Sequence, residues 1–284
     1  MEFFTRVDIP RPDFTIGPQE RMLFVGSCFA DSIGRRAVEE KFRAVVNPYG
    51  VMYNPASVLH TVERCDEAPR VALFTLGTNH VYRLKETGEI VDNCRKQPQR
   101  LFSEEELSVD DCVGYLRKAV DTLAGRDPEV RVVVTVSPIR YAKYGYHGSR
   151  LSKAVLLLAA DRLTKEDSRC VYFPAYEIMN DELRDYRFYA ADMLHPSQQA
   201  VEYIWEQFAG AYFSPAAKQF LAEWRPVKEA LGHRPFNPDS EEYRAFMDKT
   251  MLKVAELSKK YPNFAYMYGT DTAAGRGGEV LHGT

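Results

Sequence analysis

Short apolar runs recur along this chain and alternate with stretches of helical periodicity. Met22 to Val25, Arg43 to Val46, Val71 to Leu76, Arg131 to Val136 and Cys170 to Phe173 are continuous rather than alternating, as strands covered on both faces are. A first crossover helix is expected from about Phe29 to Phe42. Asn54 before Pro55 reads as an N-cap with proline at the first helical position, opening a helix through about Val62. Ser103 with Glu106, and Ser108 with Asp111, have capping-box spacing. Cys112, Val113, Leu116, Ala119, Val120 and Leu123 then recur at helical spacing until Gly125. Ser149 to Leu163 predicts another helix, its mostly apolar face traced by Leu151, Val155, Leu158, Ala159 and Arg162. A long amphipathic helix is expected to start at Pro196 and run to about Tyr212, ended by Pro215. Strands alternating with helices predict an α/β protein with a parallel sheet.

Beyond Ala216 the pattern is helical without strands: Phe220, Leu221 and Trp224, then Phe246, Met247, Met251, Val254, Ala255 and Leu257. The expected organisation is an α/β domain over residues 1–214 and a C-terminal helical extension over 215–284. Gly269 to Gly278, rich in Gly, Thr and Ala, is expected to be a mobile tail.

Composition narrows the function classes. Apolar residues make up 45% and aromatic residues 12% of the 284, the balance of an ordered globular protein. With 37 Lys plus Arg against 40 Asp plus Glu, a net charge of -3, nothing calls for nucleic acid. No apolar stretch approaches the roughly 20 residues that cross a bilayer, and Met1 to Pro12 is polar rather than signal-like, so a cytoplasmic protein is expected. The five cysteines, at 28, 65, 94, 112 and 170, include no C-x-x-C pair, which fits reduced thiols and no zinc site.

Candidate chemistry collects where strands end. Gly26-Ser27-Cys28-Phe29-Ala30 follows the first apolar run directly, so Ser27 stands at the carboxyl end of a strand and the start of a helix, where α/β enzymes bind ligands. Asp192-Met193-Leu194-His195 lies in the loop before the Pro196 helix, and a carboxylate three residues ahead of a histidine can hold Nδ1 and leave Nε2 as a base. Leu73 to Asn79 is a strand ending in Gly-x-Asn, whose amide can donate to an oxyanion; Asn47-Pro48-Tyr49-Gly50 closes the second strand with a glycine. Cys28 is a rival nucleophile, since a helix N-terminus lowers a thiol pKa, but it is expected to be a buried packing residue.

In this order Gly-Ser, Gly, Gly-x-Asn and Asp-x-x-His resemble the SGNH (GDSL-like) hydrolase superfamily, and Gly26 to Ala30 spells the signature of its GSCFA family. The likeness runs over roughly residues 15 to 214, through Asn47 to Pro55, Gly77 to Arg83, Thr135 to Arg140, Ser152 to Leu158 and Asp192 to Ser197. It implies a flavodoxin-like three-layer α/β/α sandwich whose five parallel strands run in the order 2-1-3-4-5. It also implies a catalytic triad of Ser27, His195 and Asp192, and an oxyanion hole from the Ser27 and Gly50 N–H groups with the Asn79 side chain. Two departures stand out. Val25 and Gly26 occupy the places of the superfamily's Gly and Asp, and His80 stands where Gly-x-Asn-Asp has its last residue.

The resulting expectation is a serine esterase without metal or cofactor, removing a small acyl group from a carbohydrate or other polar small molecule. An acyltransferase using the same triad, and a non-catalytic binding module on the same fold, are the alternatives. Arg140, His80 and Tyr53 are candidate substrate contacts, Tyr53 as one of a group with Tyr49, Tyr82, Tyr141, Tyr144 and Tyr146. Asp92 to Pro98 is a candidate pocket wall. The sequence leaves open whether the protein self-associates.

Overall fold

The five apolar runs form one sheet in the computed structural model, which describes residues 4–92, 94, 97–261 and 264; the expected Gly269–Gly278 tail lies outside the described residues. They are β1 (Arg21–Gly26), β2 (Arg43–Val46), β3 (Val71–Leu76), β7 (Arg131–Val136) and β8 (Cys170–Tyr172), all parallel, side by side as β2-β1-β3-β7-β8. Counting the parallel strands alone, this is the expected 2-1-3-4-5. Alternate side chains divide the core in two. Met22, Phe24, Leu73 and Val133 face α1 (Cys28–Glu39) and α6 (Gln198–Tyr212); Leu23, Val25, Phe74 and Val134 face α2 (Pro55–Arg64), α3 (Val109–Arg126) and α4 (Gly145–Glu166). Each such side chain is worth roughly 1.5–3 kcal/mol when fully buried, against a net of about 1 kcal/mol for a ladder hydrogen bond. Two-sided burial therefore fixes the register of these strands.

The helix starts largely follow their expected caps. Asn54 Oδ1 accepts the Ser57 N–H at 2.9 Å with Pro55 in the first helical position, and Ser108 with Asp111 closes a reciprocal capping box on α3. Other boundaries differ from expectation. Ser103 and Glu106 open no helix: they lie in β6 (Phe102–Glu106), which pairs antiparallel with β4 (His80–Leu84), itself paired with β5 (Ile90–Val91). This small second sheet buries Val81 and Phe102 and turns its glutamates outward. The first helix ends at Glu39, leaving Phe42 in the core, and α6 is capped by Ser197 rather than started by Pro196, which bridges to Tyr189. The buried face of α4 is also rotated from the expected one. Leu151 and Leu158 are exposed, while Ser149, Ser152, Lys153, Leu156, Ala159, Ala160 and Leu163 point inward.

That rotation buries an amine. Lys153 Nζ donates to Gly77 O at 2.7 Å and to Ser137 O at 2.8 Å, tying α4 to the chain just past β3 and β7. After β8 the chain passes through a short α5 (Ala175–Glu177), a π turn over Ile178–Leu183 and a 3-10 turn over Tyr186–Phe188 before reaching α6.

Two further helices, α7 (Pro215–Gly232) and α8 (Glu241–Lys260), follow α6. The former packs Phe220 edge-on to Phe42 and donates from Trp224 Nε1 to Glu39 O at 3.3 Å. Glu40, buried at the end of α1, is held by Arg36 and by Lys228 of α7, and Arg36 also reaches Glu202 of α6 at 2.6 Å. Among the described residues no helix is long and apolar enough to cross a membrane.

Gly26 is fixed by its neighbour. Its φ is +142°, and a Cβ there would meet Thr75 O at 2.2 Å, so β1 and β3 approach more closely than any side chain permits. Gly26→Ala is expected to destabilise the protein by about 3 kcal/mol or more, read by urea denaturation; an unchanged midpoint would contradict this packing. Lys153 gives a second test. Burial pushes its pKa down from 10.5 to about 7, so the folded chain loses this proton before the unfolded chain does. Stability should then rise as pH climbs from about 7 towards the unfolded value. Lys153→Met should flatten that rise, and equal slopes in the two proteins would show that the amine titrates normally.

Candidate active site

The order of the sheet reverses between β1 and β3, and in open parallel sheets the crevice at such a switch point, outside the carboxyl ends, is where ligands bind. Gly26, Ser27 and Cys28 leave β1 here and Gly77 leaves β3. A methyl group built on Gly77 would lie 2.9 Å from Tyr53 O, 3.2 Å from Tyr141 Oη and 3.4 Å from Ser27 Cβ. The missing side chain thus marks the place where four segments meet. The loop after β2 is drawn in by Asn47, whose Oδ1 accepts the Gly26 N–H at 2.9 Å and whose Nδ2 donates to Asp31 Oδ1 at 2.6 Å.

Ser27 is at this junction but its polar groups are committed. It is 1% exposed and caps α1, its Oγ accepting the Phe29 N–H at 3.2 Å. The same Oγ shares a 3.0 Å hydrogen bond with Thr75 Oγ1, and the Ser27 N–H donates to Thr75 O at 3.0 Å. Cys28, expected to be buried, is half-buried, with Sγ 4.0 Å from Tyr53 Oη. Burial raises the Cys28 pKa, and the nearby Asp31 charge adds to that, so the resting sulfur is a thiol.

Each expected oxyanion donor makes a hydrogen bond within the fold in this conformation. The Gly50 N–H donates to Asn47 O at 2.8 Å within an exposed turn. Asn79 is 1% exposed and its Nδ2 donates to Leu107 O at 2.9 Å, so this amide holds the approach to α3. With the Ser27 N–H on Thr75, all three are internal bonds of the fold.

Asp192 and His195 are paired as the spacing predicts. Asp192 Oδ2 lies 2.6 Å from His195 Nδ1, while Oδ1 accepts the Leu194 and His195 N–H groups at 2.8 and 3.0 Å. Those backbone donors, above all, push the Asp192 pKa down to about 2. The loop is held from outside as well. Arg140 donates from its backbone N–H to Leu194 O and from Nη1 to Met193 O, each at 3.0 Å, which brings the histidine to the end of β7. His195 Nε2 makes no hydrogen bond among the described residues, and none joins it to Ser27. Both side chains of the pair are roughly half exposed.

The candidate substrate contacts form the surrounding walls. The Arg140 guanidinium lies over the Tyr146 ring at 4.2 Å and the Tyr189 ring at 5.3 Å, beside a cavity of about 140 Å³ shared with Arg150 and Lys153. His80 stacks on Tyr144 at 3.7 Å, and burial lowers its pKa. Tyr53 meets Tyr141 edge-to-face at 5.8 Å, and burial pushes its pKa up to about 12. Asp92, from the expected pocket wall, is spent on His60 and Arg64, each at 2.8 Å. Tyr141 stands in the expected tyrosine group, whereas Thr75 and Lys153 were given no role by the sequence, although Thr75 lies on the strand before Gly-x-Asn and Lys153 in the family-like segment Ser152 to Leu158.

A family model described as the GSCFA family matches residues 21–71 and 66–208, and one described as GSCFA domain protein, C-terminal domain, matches residues 224–266. No curated protein matches the chain in sequence. Among solved structures it is similar to a variant of Axe2, an acetyl-xylooligosaccharide esterase from Geobacillus Stearmophilus, at 14% identity and a TM-score of 0.46, covering 70% of this chain and 96% of that one. It is also similar to a GDSL-like lipase from Parabacteroides merdae, at 13% identity and a TM-score of 0.47, covering 71% and 100%. A carbohydrate esterase family 3 protein from Talaromyces cellulolyticus stands at 10% and 0.39, covering 72% and 99%. With the signature at Gly26 to Ala30 and the family pattern running through β1 to α6, the chain belongs to the GSCFA family, on a five-stranded parallel sheet of order β2-β1-β3-β7-β8.

Proposed function

We propose that the protein hydrolyses esters through a covalent acyl-enzyme, with His195 as the base and Asp192 as its orienter. One observation carries the reading: the 2.6 Å contact of Asp192 Oδ2 with Nδ1 fixes the imidazole and leaves Nε2 without a hydrogen bond among the described residues, at the carboxyl edge of the sheet. Asp192 favours the imidazolium that forms when Nε2 takes a proton. The nucleophile belongs to the β1–α1 junction at the same edge. Ser27 is the residue that the family signature puts forward, and to attack it must first release Thr75 Oγ1 and the Phe29 N–H.

The substrate we infer is a small acyl ester of a carbohydrate or similar polar molecule. Tyr53 and Tyr146 are exposed at the site and offer flat apolar faces with a hydroxyl, suited to sugar rings. Arg140 supplies a cation at the rim, and His80, stacked on Tyr144, forms part of the wall rather than a proton donor.

His195→Ala should lower kcat by about 10² to 10⁴ on short-chain 4-nitrophenyl esters and acetylated sugars, with the melting temperature kept. Unchanged turnover in that variant would end the reading. Because its backbone donors keep Asp192 ionised down to about pH 2, it is a carboxylate throughout the working range, and Asp192→Asn should lower kcat by about 10⁴ with the melting temperature kept. Unchanged turnover in that variant would remove Asp192 from the reaction.

A further inference from the structure

We propose that the substrate carries a negatively charged group, the carboxylate of an acidic sugar, and that the cavity between Arg140, Arg150 and Lys153 receives it. The proposal rests on the ester-hydrolysis reading above and names its substrate class. The three cations line the cavity together with Ser149, Tyr146 and Tyr176, and among the described residues no aspartate or glutamate lines it. At about 140 Å³ it lies well below the roughly 300 Å³ at which pockets for whole ligands begin. It suits one group of a ligand.

None of the three cations has a counter-ion among the described residues. Lys153 is 2% exposed, and its amine gives two protons to Gly77 O and Ser137 O, which leaves the third without an acceptor among the described residues. Burial alone pushes its pKa down to about 7, with no carboxylate near enough to oppose the fall. Arg140 lies over the Tyr146 and Tyr189 rings and donates to Met193 O, while Arg150 donates to the Tyr176 hydroxyl at 3.2 Å. Glu177, next to Tyr176 in the chain, is outside the lining and holds the Tyr172 hydroxyl at 2.9 Å. Other partly buried arginines of the fold are neutralised: Arg36 meets Glu40 and Glu202, and Arg169 meets Asp121 and Asp167. A buried cation without a partner is costly. An anion entering the cavity supplies the missing charge, and guanidinium groups bind a carboxylate through paired N–H donors.

The cavity also lies beside the reacting groups. Arg140 holds the Asp192–His195 loop through Leu194 O and Met193 O, and Lys153 holds the carbonyl of Gly77, the residue packed against Ser27. Tyr146, exposed in the cavity wall, is one of the rings on which the sugar is seated. A sugar on that ring can put its carboxylate into the cavity and its ester towards His195. Held at the charged group, remote from the reacting carbonyl, the ester is oriented for attack.

Two measurements on the full chain test this. The first compares kcat/KM for a mono-O-acetylated methyl glucuronoside and the equally acetylated methyl glucoside. The acidic sugar should be the better substrate by about ten- to a hundredfold, and Arg150→Gln, a change at an exposed position, should remove at least about tenfold of that ratio. A variant that lowers both substrates equally overturns the role of Arg150. The second measurement uses phenylglyoxal, which labels arginines, with the labelled positions mapped by mass spectrometry. Millimolar glucuronate should protect Arg140 and Arg150, and glucose should not. Equal kcat/KM on the two sugars, or labelling undiminished by glucuronate, overturns the anion site and leaves ester hydrolysis standing. Protection by sulfate but not by glucuronate overturns the carboxylate. If neither sugar ester nor any 4-nitrophenyl ester is cleaved, the hydrolytic reading falls, and the protection assay, which needs no turnover, still decides the cavity.

Discussion

Everything at the carboxyl edge of the sheet depends on how closely β1 approaches β3 at Gly26. Thr75 O stands 2.2 Å from where a Cβ would be, and the same residue then takes the Ser27 N–H on its carbonyl and the Ser27 hydroxyl on its side chain. One threonine thus sets the path of the chain as it leaves β1. Because Ser27 is turned into the fold by these bonds, α1 begins one residue later with Cys28 facing the crevice. Asn47 makes the same junction rigid from the other side by bonding both Gly26 and Asp31.

Much of this architecture was legible in the sequence, because both-sided burial demands continuous apolar runs and five such runs were present. Caps at Asn54 and Ser108 were legible for a similarly local reason: their oxygens serve N–H groups three residues away. The antiparallel sheet of β4, β5 and β6 was not. Only one side of it is covered, its strands are short, and Ser103 with Glu106 imitates a helix cap until pairing with His80 to Leu84 decides the matter. The inward face of α4 was misjudged because a lysine and two serines replace the leucines that periodicity favours, each satisfied by a partner more than seventy residues away or by a local loop.

The site divides along the same line. Asp192 and His195 are close in sequence, so their pairing could be foreseen. The expected oxyanion donors could not be judged that way, since whether an N–H is available depends on acceptors brought in by other segments: Thr75 for Ser27 and Leu107 for Asn79. Ser27 and Cys28 are neighbours in the chain, and only the tertiary bonds of Thr75 distinguish the one that faces inward from the one that faces the crevice. Arg140 belongs with these, its two bonds to the Asp192–His195 loop joining the end of β7 to a segment more than fifty residues later.

The brace at the far end of α1 gives the appended helices a mechanical meaning. With Glu40 clamped between Arg36 and Lys228, and Glu39 O taken by Trp224, α1 is a short rod anchored to α7 at one end and carrying Cys28 at the other. Among the described residues, α7 therefore braces the far end of α1 from the opposite edge of the sheet.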